Sequence, residues 1–341
     1  MYDLSYEELK KEITAANFKK FAADQVFQWL YAKNILDIGK WSNISKTNRE
    51  RLSKHYDTGL NTILDIKKDP QGTKKFLVEL ADKHKIEAVL IPEKNHYTFC
   101  ISTQVGCSLK CKFCATGRMG FKRNLSPGEI LSQVLLLKKA INGDEDTYTG
   151  KLNIVFMGMG EPLLNYENLK KALEIITNEN WLAISTRNIT LSTAGILKQI
   201  RQFETDFPKI KISFSLNAPA SPLREELMPI SKKEKLDEIL DYFRATREKR
   251  KRRVTFEYVL LKGVNDSLAD ARKTAKLLGG IPCKINLIPY NENKDFRFKT
   301  PSKEDITAFS DCLYSLGYTA IVRWSKGREI QSACGQLTVD E

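Results

Sequence analysis

From about residue 86 to the C-terminus, short β-branched apolar runs alternate with longer amphipathic stretches, and this alternation restricts the fold more than any other feature of the sequence. The predicted strands are Glu87–Ile91, Phe99–Ser102, Leu152–Met157, Asn188–Leu191, Lys211–Leu216, Val254–Leu260, Lys284–Ile288 and Thr319–Val322. Most are separated by segments with apolar residues at helical spacing: Asn165–Asn178, Ile196–Phe207, Lys233–Thr246, Ser267–Leu278 and Ser302–Leu316. A further helix starts at Ser126-Pro127-Gly128-Glu129, where a Ser N-cap, a Pro in the first position and the Glu predict a capping box. Strands that alternate with helices in this way pair in parallel. The expected fold is α/β, a full or partial barrel with helices outside, and its chemistry belongs at the C-terminal ends of the strands.

The first 85 residues read differently. Leu4, Leu9 and Ile13 begin an apolar stripe that Phe18, Phe21, Val26, Phe27, Trp29, Leu30 and Tyr31 continue, and Thr47–Tyr56 is a highly charged helix. A turn at Lys67–Gly72 joins two strand-like pieces, Thr62–Ile66 and Lys75–Leu80. Residues 1–85 are therefore expected to form a small helical module with a hairpin-like connector, and residues 86–341 the core. The aromatic residues of the module are assigned to packing. A chain of 341 residues agrees with one large unit and one small one.

Three of the seven cysteines lie in Cys107-Ser-Leu-Lys-Cys111-Lys-Phe-Cys114. The apolar runs are too short to cross a membrane, and the acidic start of the chain does not resemble a signal peptide, so the cytoplasm is the expected compartment. A structural disulfide framework is not expected there. Thiolates are soft ligands that suit iron–sulfur clusters and zinc. Structural zinc takes four protein ligands, and the sequence offers no second cysteine pair, although His84 and His96 leave a Cys3His zinc site as the competing reading. Three cysteines leave one iron of a four-iron cluster open to a substrate or cofactor.

This loop, with Phe113 before its last cysteine, resembles the radical S-adenosylmethionine superfamily. Flanking stretches are similar to a narrower group, the RlmN/Cfr family of RNA adenine methyltransferases. They include Phe99-Cys100, Phe156-Met-Gly-Met-Gly-Glu161-Pro162-Leu163, Leu191-Ser192-Thr193, Gly263-Val-Asn-Asp266, Asn286-Leu-Ile-Pro-Tyr-Asn291 and Ala333-Cys334-Gly335-Gln336-Leu337. The segment Phe21–Tyr31 resembles the accessory domain of that family, so the resemblance spans nearly the whole chain. The Gly-Glu-Pro-Leu and Ile-Pro-Tyr-Asn stretches are closer to the RlmN branch than to the Cfr branch.

The resemblance implies a partial (βα)6 radical S-adenosylmethionine barrel with a small N-terminal helical accessory domain. It implies one [4Fe-4S] cluster on Cys107, Cys111 and Cys114, and two molecules of S-adenosylmethionine per turnover. Gly160, Glu161, Ser192, Ser215, Leu216, Asn217 and Asn291 would contact the cofactor. Many family members carry His where this chain has Asn217, which keeps a donor and an acceptor but loses the titratable ring; a backbone contact there would survive the change, and the side-chain contact stays open. Cys334 would take a methyl group from the first cofactor molecule. A 5′-deoxyadenosyl radical from the second would then remove hydrogen, and the methylene carbon would add to adenine. Cys100 would resolve the covalent adduct through a transient disulfide with Cys334, and Glu87 would accept the adenine proton, against the plainer reading of an exposed strand carboxylate. Cys283 and Cys312 are read as small buried hydrophobes.

The implied product is C2-methyladenine in 23S rRNA and in tRNA. The alternatives are Cfr-like C8 methylation and a non-catalytic iron–sulfur or zinc RNA-binding protein. The implied partners are those RNAs and an electron donor such as flavodoxin, with the chain expected to be a monomer. Lys and Arg number 55 against 42 Asp and Glu, a net charge of +13 that suits a polyanion. Lys10-Lys11, Lys19-Lys20, Lys33 and Lys46–Arg49 would grip RNA in the module. Arg118, Lys122 and Arg123 flank the cysteine loop. The densest run, Arg247–Arg253, precedes a strand and so belongs at the end of the sheet away from the chemistry.

Overall fold

The structure, a computed structural model, describes residues 1–19, 21–142, 150–293 and 296–339. Lys20 lies outside the described residues. The strands are β1 (Thr62–Lys68), β2 (Lys74–Glu79), β3 (Lys85–Pro92), β4 (His96–Cys100), β5 (Gln104–Gly106), β6 (Phe121–Asn124), β7 (Lys151–Phe156), β8 (Ile189–Thr193), β9 (Lys211–Ser215), β10 (Val254–Leu260), β11 (Cys283–Pro289) and β12 (Thr319–Val322). The helices are α1 (Tyr6–Ala15), α2 (Ala22–Phe27), α3 (Lys46–His55), α4 (Ala115–Met119), α5 (Pro127–Asn142), α6 (Tyr166–Thr177), α7 (Leu197–Asp206), α8 (Ser221–Leu227), α9 (Leu236–Ala245), α10 (Leu268–Leu277) and α11 (Lys303–Ser315).

One sheet runs β1-β2-β3-β4-β7-β8-β9-β10-β11-β12. From β4 to β12 every neighbouring pair is parallel, with the helices in the crossovers, as the alternation requires. The first strand of the expected series is the exception. β3 pairs antiparallel with both β2 and β4, because only three residues separate it from β4 and no crossover fits. The hairpin of β1 and β2 is likewise part of the sheet, continuous with β3. A small β5–β6 sheet holds the cysteine loop between its strands, and no alternation in the sequence announced it.

The sheet curls into an open barrel, since Ile91 near one end and Val322 at the other line the same cavity. The C-terminal segment fastens across the gap: Lys326 Nζ donates to Pro92 O (2.6 Å), Gly327 N to Asp69 Oδ2 (3.0 Å) and Thr338 N to Glu87 Oε2 (3.0 Å). The predicted capping box forms at α5, where Ser126 N donates to Glu129 Oε2 (2.9 Å) and Glu129 N to Ser126 Oγ (3.2 Å).

The N-terminal helices dock outside the barrel on α5 and α6. Gly128 N donates to Asp3 Oδ1 (2.9 Å), Lys171 pairs with Glu8 (2.7 Å), and Phe27 packs on Trp181 with ring centroids 4.7 Å apart. Phe27, Trp29, Leu30 and Tyr31 are buried, in line with the packing assignment, whereas Phe21 is exposed. Cys283 is buried in the core and Cys312 packs against it. Among the described residues no helix is long and apolar enough to cross a membrane.

Candidate active site

The chemistry-bearing residues collect where the parallel strands end. Cys107, Cys111 and Cys114 line a cavity of about 160 Å³ together with Gly160, Glu161, Ser192, Ser215, Asn217, Glu257 and Cys334. The close approach of two strand-end loops explains the glycines. A Cβ on Gly158 would stand 2.6 Å from Ser102 Oγ, and one on Gly160, at φ +101°, would stand 2.5 Å from Gln104 Cβ. The glycines thus serve loop-to-loop packing, and both also line the cavity.

Glu161 is buried, which raises its carboxyl to about 6, opposed by hydrogen bonds from Ala194 N (2.8 Å), Thr193 Oγ1 (2.7 Å) and Leu163 N (3.1 Å). A carboxylate offers about four lone-pair sites, so one remains for a ligand cation. Asn217 has φ 56°, and its side chain is already engaged: Oδ1 accepts from Val259 N (2.9 Å) and Nδ2 donates to Met228 Sδ (3.3 Å). Leu216 is fully buried and does not line the cavity. Asn291 does not line it either; its Nδ2 donates to Cys334 O (3.1 Å) and Ser325 Oγ (3.0 Å).

A second cavity, of about 670 Å³, fills the barrel, and Cys100, Cys334, Met157, Glu257 and Ile288 are on its wall. Cys334 therefore faces both cavities and Cys100 only the larger. Cys334 is accessible, but through the cavities, and enclosure pushes its thiol up to about 11, with Glu257 adding to the rise and Arg323 opposing it. Burial also raises the Cys100 thiol. All seven cysteines are free thiols, so the expected Cys100–Cys334 disulfide is not formed in this state of the chain.

Glu87 is not exposed, contrary to its plainer reading. It is buried on β3, with Oε1 2.6 Å from Lys75 Nζ, and burial raises its carboxyl. It lines neither cavity and is joined to the tail that carries Cys334. His84 bonds to Asp82 (2.9 Å), and His96 lies at the start of β4, on the larger cavity. Neither histidine joins the three cysteines on the smaller cavity, and the Cys3His alternative loses its fourth ligand.

Two residues escaped the sequence reading. Glu257 accepts from Ser192 Oγ (2.9 Å), and its backbone carbonyl accepts from Leu216 N (2.9 Å) and Asn217 N (3.2 Å). A lone acid in the apolar strand Val254–Leu260 was its signal. Arg224, fully buried, donates to the carbonyls of Ala194 (2.6 Å), Ser215 (2.9 Å) and Leu216 (3.1 Å) and pins two strand-end loops. An arginine on a short helix carries no such signal.

Comparison with known proteins agrees with this geometry. Residues 101–278 match the radical SAM superfamily, and residues 1–57 match the ribosomal RNA large subunit methyltransferase N-terminal domain. A dual-specificity RNA methyltransferase RlmN of Syntrophus aciditrophicus is 44% identical over 98% of this chain and 95% of its own. The RlmN of Solidesulfovibrio magneticus is 42% identical over 100% and 96%. This chain belongs to the RlmN family. A crystal structure of a radical SAM methyltransferase from Sphaerobacter thermophilus superposes with a TM-score of 0.92, at 38% identity over 99% of this chain and 98% of that one. The protein is thus a radical SAM RNA methyltransferase with the mostly parallel barrel of that superfamily, and the RlmN family's N-terminal region corresponds to the helices docked on α5 and α6.

Proposed function

We propose that the protein methylates C2 of an adenine in 23S rRNA and in tRNA, and that the methyl group passes through Cys334. The observation that carries this reading is the division of the cavities: Cys334 opens onto both, and Cys100 onto the larger alone. A residue that collects a group on one side and delivers it on the other needs that position. The RlmN relatives are named for dual specificity, which favours both RNAs.

The residues present suit the implied cofactors. Three soft thiols on one cavity wall, each raised by burial, are held away from solvent and ready for metal, which favours the thiolate. Cys107, Cys111 and Cys114 would hold one [4Fe-4S] cluster, and Glu161 the cofactor ammonium beside it. When bound, the cluster would supply the electron for reductive cleavage of S-adenosylmethionine, drawn from a donor such as flavodoxin.

The chain's own residues carry the remaining steps. Cys334 takes the methyl group of one S-adenosylmethionine at sulfur, with S-adenosylhomocysteine leaving, and Glu257 beside it is our acceptor for the thiol proton. The S-methyl carbon, after losing a hydrogen atom to the 5′-deoxyadenosyl radical that a second S-adenosylmethionine would supply, bonds to C2 of an adenine in the larger cavity, and the odd electron of the adduct would return to the cluster. Glu87 takes the C2 proton once the tail joined to it at Thr338 shifts. Cys100 then attacks the Cys334 sulfur, forming the transient disulfide; the electron pair of the broken sulfur–carbon bond stays on the methylene carbon, which takes up the proton given up by the Cys100 thiol and becomes the methyl group of the freed base.

We further propose residues 1–85 as the accessory RNA grip and 86–341 as the catalytic core, acting as a monomer in the cytoplasm. Part of the basic surface is committed to structure: Lys33 Nζ lies 3.6 Å over the Trp29 ring, and Arg250 forms an ion pair with Glu204 (2.5 Å). Mass spectrometry of nucleosides from treated RNA tests the reading. C2-methyladenine is expected, and a C8 product would assign the chain a Cfr-like reaction instead.

A further inference from the structure

The interior of a parallel α/β barrel is ordinarily filled by branched apolar side chains. Here the larger cavity is walled by Thr98 of β4, Asn153 of β7, Thr190 of β8 and Asn286 of β11. At about 670 Å³ it falls in the roughly 300–1,000 Å³ range of ligand sites. Its far end is cationic. Lys211 lines it at the start of β9, opposite Thr190 of β8, and Lys284, opposite Thr255, stands at the corresponding end of β11. Arg252, from the basic run that the chemistry left unused, lies two residues before β10.

These charges are close enough to act on one another. Burial and the repulsion of Arg252, Lys151, Lys284 and Arg323 push the Lys211 ammonium below the usual lysine range. Arg323, also on the cavity wall, acts in addition on Cys334 and Glu257, so the positive field runs from the mouth of the cavity to the thiol. Cations gathered against mutual repulsion are a site that an anion would relieve.

The reacting cysteines indicate which side that anion comes from. A cofactor in the smaller cavity would occupy the side with the three cluster cysteines, and Cys100 opens only onto the larger one. A base that both Cys334 and Cys100 must reach sits in the larger cavity. We infer that the substrate RNA enters the barrel from the N-terminal ends of the strands, with its backbone phosphates held at the mouth by Lys211, Lys284 and Arg252. This rests on the proposed transfer through Cys334. It assigns the Arg247–Arg253 end of the barrel to substrate entry, opposite to the face on which strand-end chemistry alone would put it.

The test is a salt titration of affinity for a synthetic RNA hairpin with an unpaired adenine in its loop, using the full cluster-loaded chain. The variants are the triple Lys211→Gln/Arg252→Gln/Lys284→Gln, the surface pair Arg252→Gln/Lys284→Gln, which avoids the half-buried lysine, and Lys262→Gln/Arg297→Gln at the opposite end. Each phosphate-neutralising cation removed should flatten the dependence of log affinity on log salt by about 0.7. The triple variant should therefore lose a slope of roughly 2 and the surface pair more than 1, with iron loading and Tm as in the parent. The Lys262/Arg297 pair should keep the parental slope. An unchanged slope in both mouth variants, or a loss confined to the Lys262/Arg297 pair, would overturn the route. Methylation retained by Cys334→Ala would overturn the underlying reading, whatever the slopes.

Discussion

The backbone N–H of Ala115, the residue after Cys114, donates to the carbonyl of Gly335, the residue after Cys334, at 2.8 Å. At the next residue, Thr116 Oγ1 donates to Leu337 O at 2.6 Å. The loop that holds Cys107, Cys111 and Cys114 and the tail that holds Cys334 are thus tied directly, and Asn291 adds a third tie at the Cys334 carbonyl. These bonds set the register between the cysteine loop and Cys334.

Loosening that register should slow methyl transfer without loss of iron. Thr116→Val leaves the buried Leu337 carbonyl without its donor, a cost of about 1–3 kcal/mol. Asn291→Leu removes both of its donated bonds. Both variants should load iron like the parent and form methylated Cys334 about tenfold or more slowly. Peptide mass spectrometry over a time course measures this, and parental rates in both variants would show that the ties have no kinetic role.

Cofactor affinity should rise with pH through the titration of Glu161. Its carboxyl is at about 6 in the folded chain against an ordinary 4.5, and only the ionised form pairs with an ammonium. Dissociation constants for S-adenosylmethionine should fall from pH 5 to about 7 and then level off. The same shift acts on the fold in the opposite sense. The native state holds the proton more tightly than the unfolded chain does, so about 2 kcal/mol of stability present below pH 4.5 is lost as pH rises through 6. Glu161→Gln should flatten both profiles in calorimetry.

The Cys334 thiol should move in opposite directions with its two charged neighbours. Glu257 raises it and Arg323 lowers it, on top of the larger effect of burial. In the metal-free chain, alkylation of the Cys334 peptide by iodoacetamide should titrate with a midpoint near 11. Glu257→Gln should shift the midpoint down and Arg323→Gln up. Shifts of the same sign would contradict the arrangement of charges around the thiol.

The helical module should be an integral part of the fold. Phe27 is 1% exposed and packs on Trp181 beyond α6. Phe27→Ala should cost about 3–5 kcal/mol, read as a fall in Tm, because truncation leaves a cavity between the module and the barrel. A change below about 1 kcal/mol would mean that the module is loosely held.

Much of this architecture was legible because it depends on local patterns. The strands β7 to β12 and the helices α6, α7, α9, α10 and α11 between them follow from periodicity, whereas the short α8 does not, and the capping box at Ser126 and Glu129 follows from four adjacent residues. The cysteine loop is equally local. The antiparallel β3 was not legible as such, since pairing direction depends on a short connection and on the partners that the hairpin supplies. Leu216 and Asn291 match the family pattern but stand behind the cavity wall, because motif spacing does not say which way a side chain turns. Arg224 and Glu257 act through residues far off in the chain, Ala194 and Ser192 among them, and their roles exist only once the strands are adjacent.

The cluster assignment has a simple check. Replacing Cys111 by Ala removes one of the three thiols that the Cys107–Cys114 loop brings to the smaller cavity, and the variant should lose the four-iron absorbance after anaerobic reconstitution. Full iron loading would show that the ligands lie elsewhere.

The central claim, transfer through Cys334 with release by Cys100, is tested most directly by intact-mass spectrometry of Cys100→Ala after incubation with substrate RNA, cofactor and reductant. The account predicts that the variant accumulates protein covalently attached to RNA, with the link at Cys334. Normal yields of free methylated RNA from that variant, with no adduct, would contradict it.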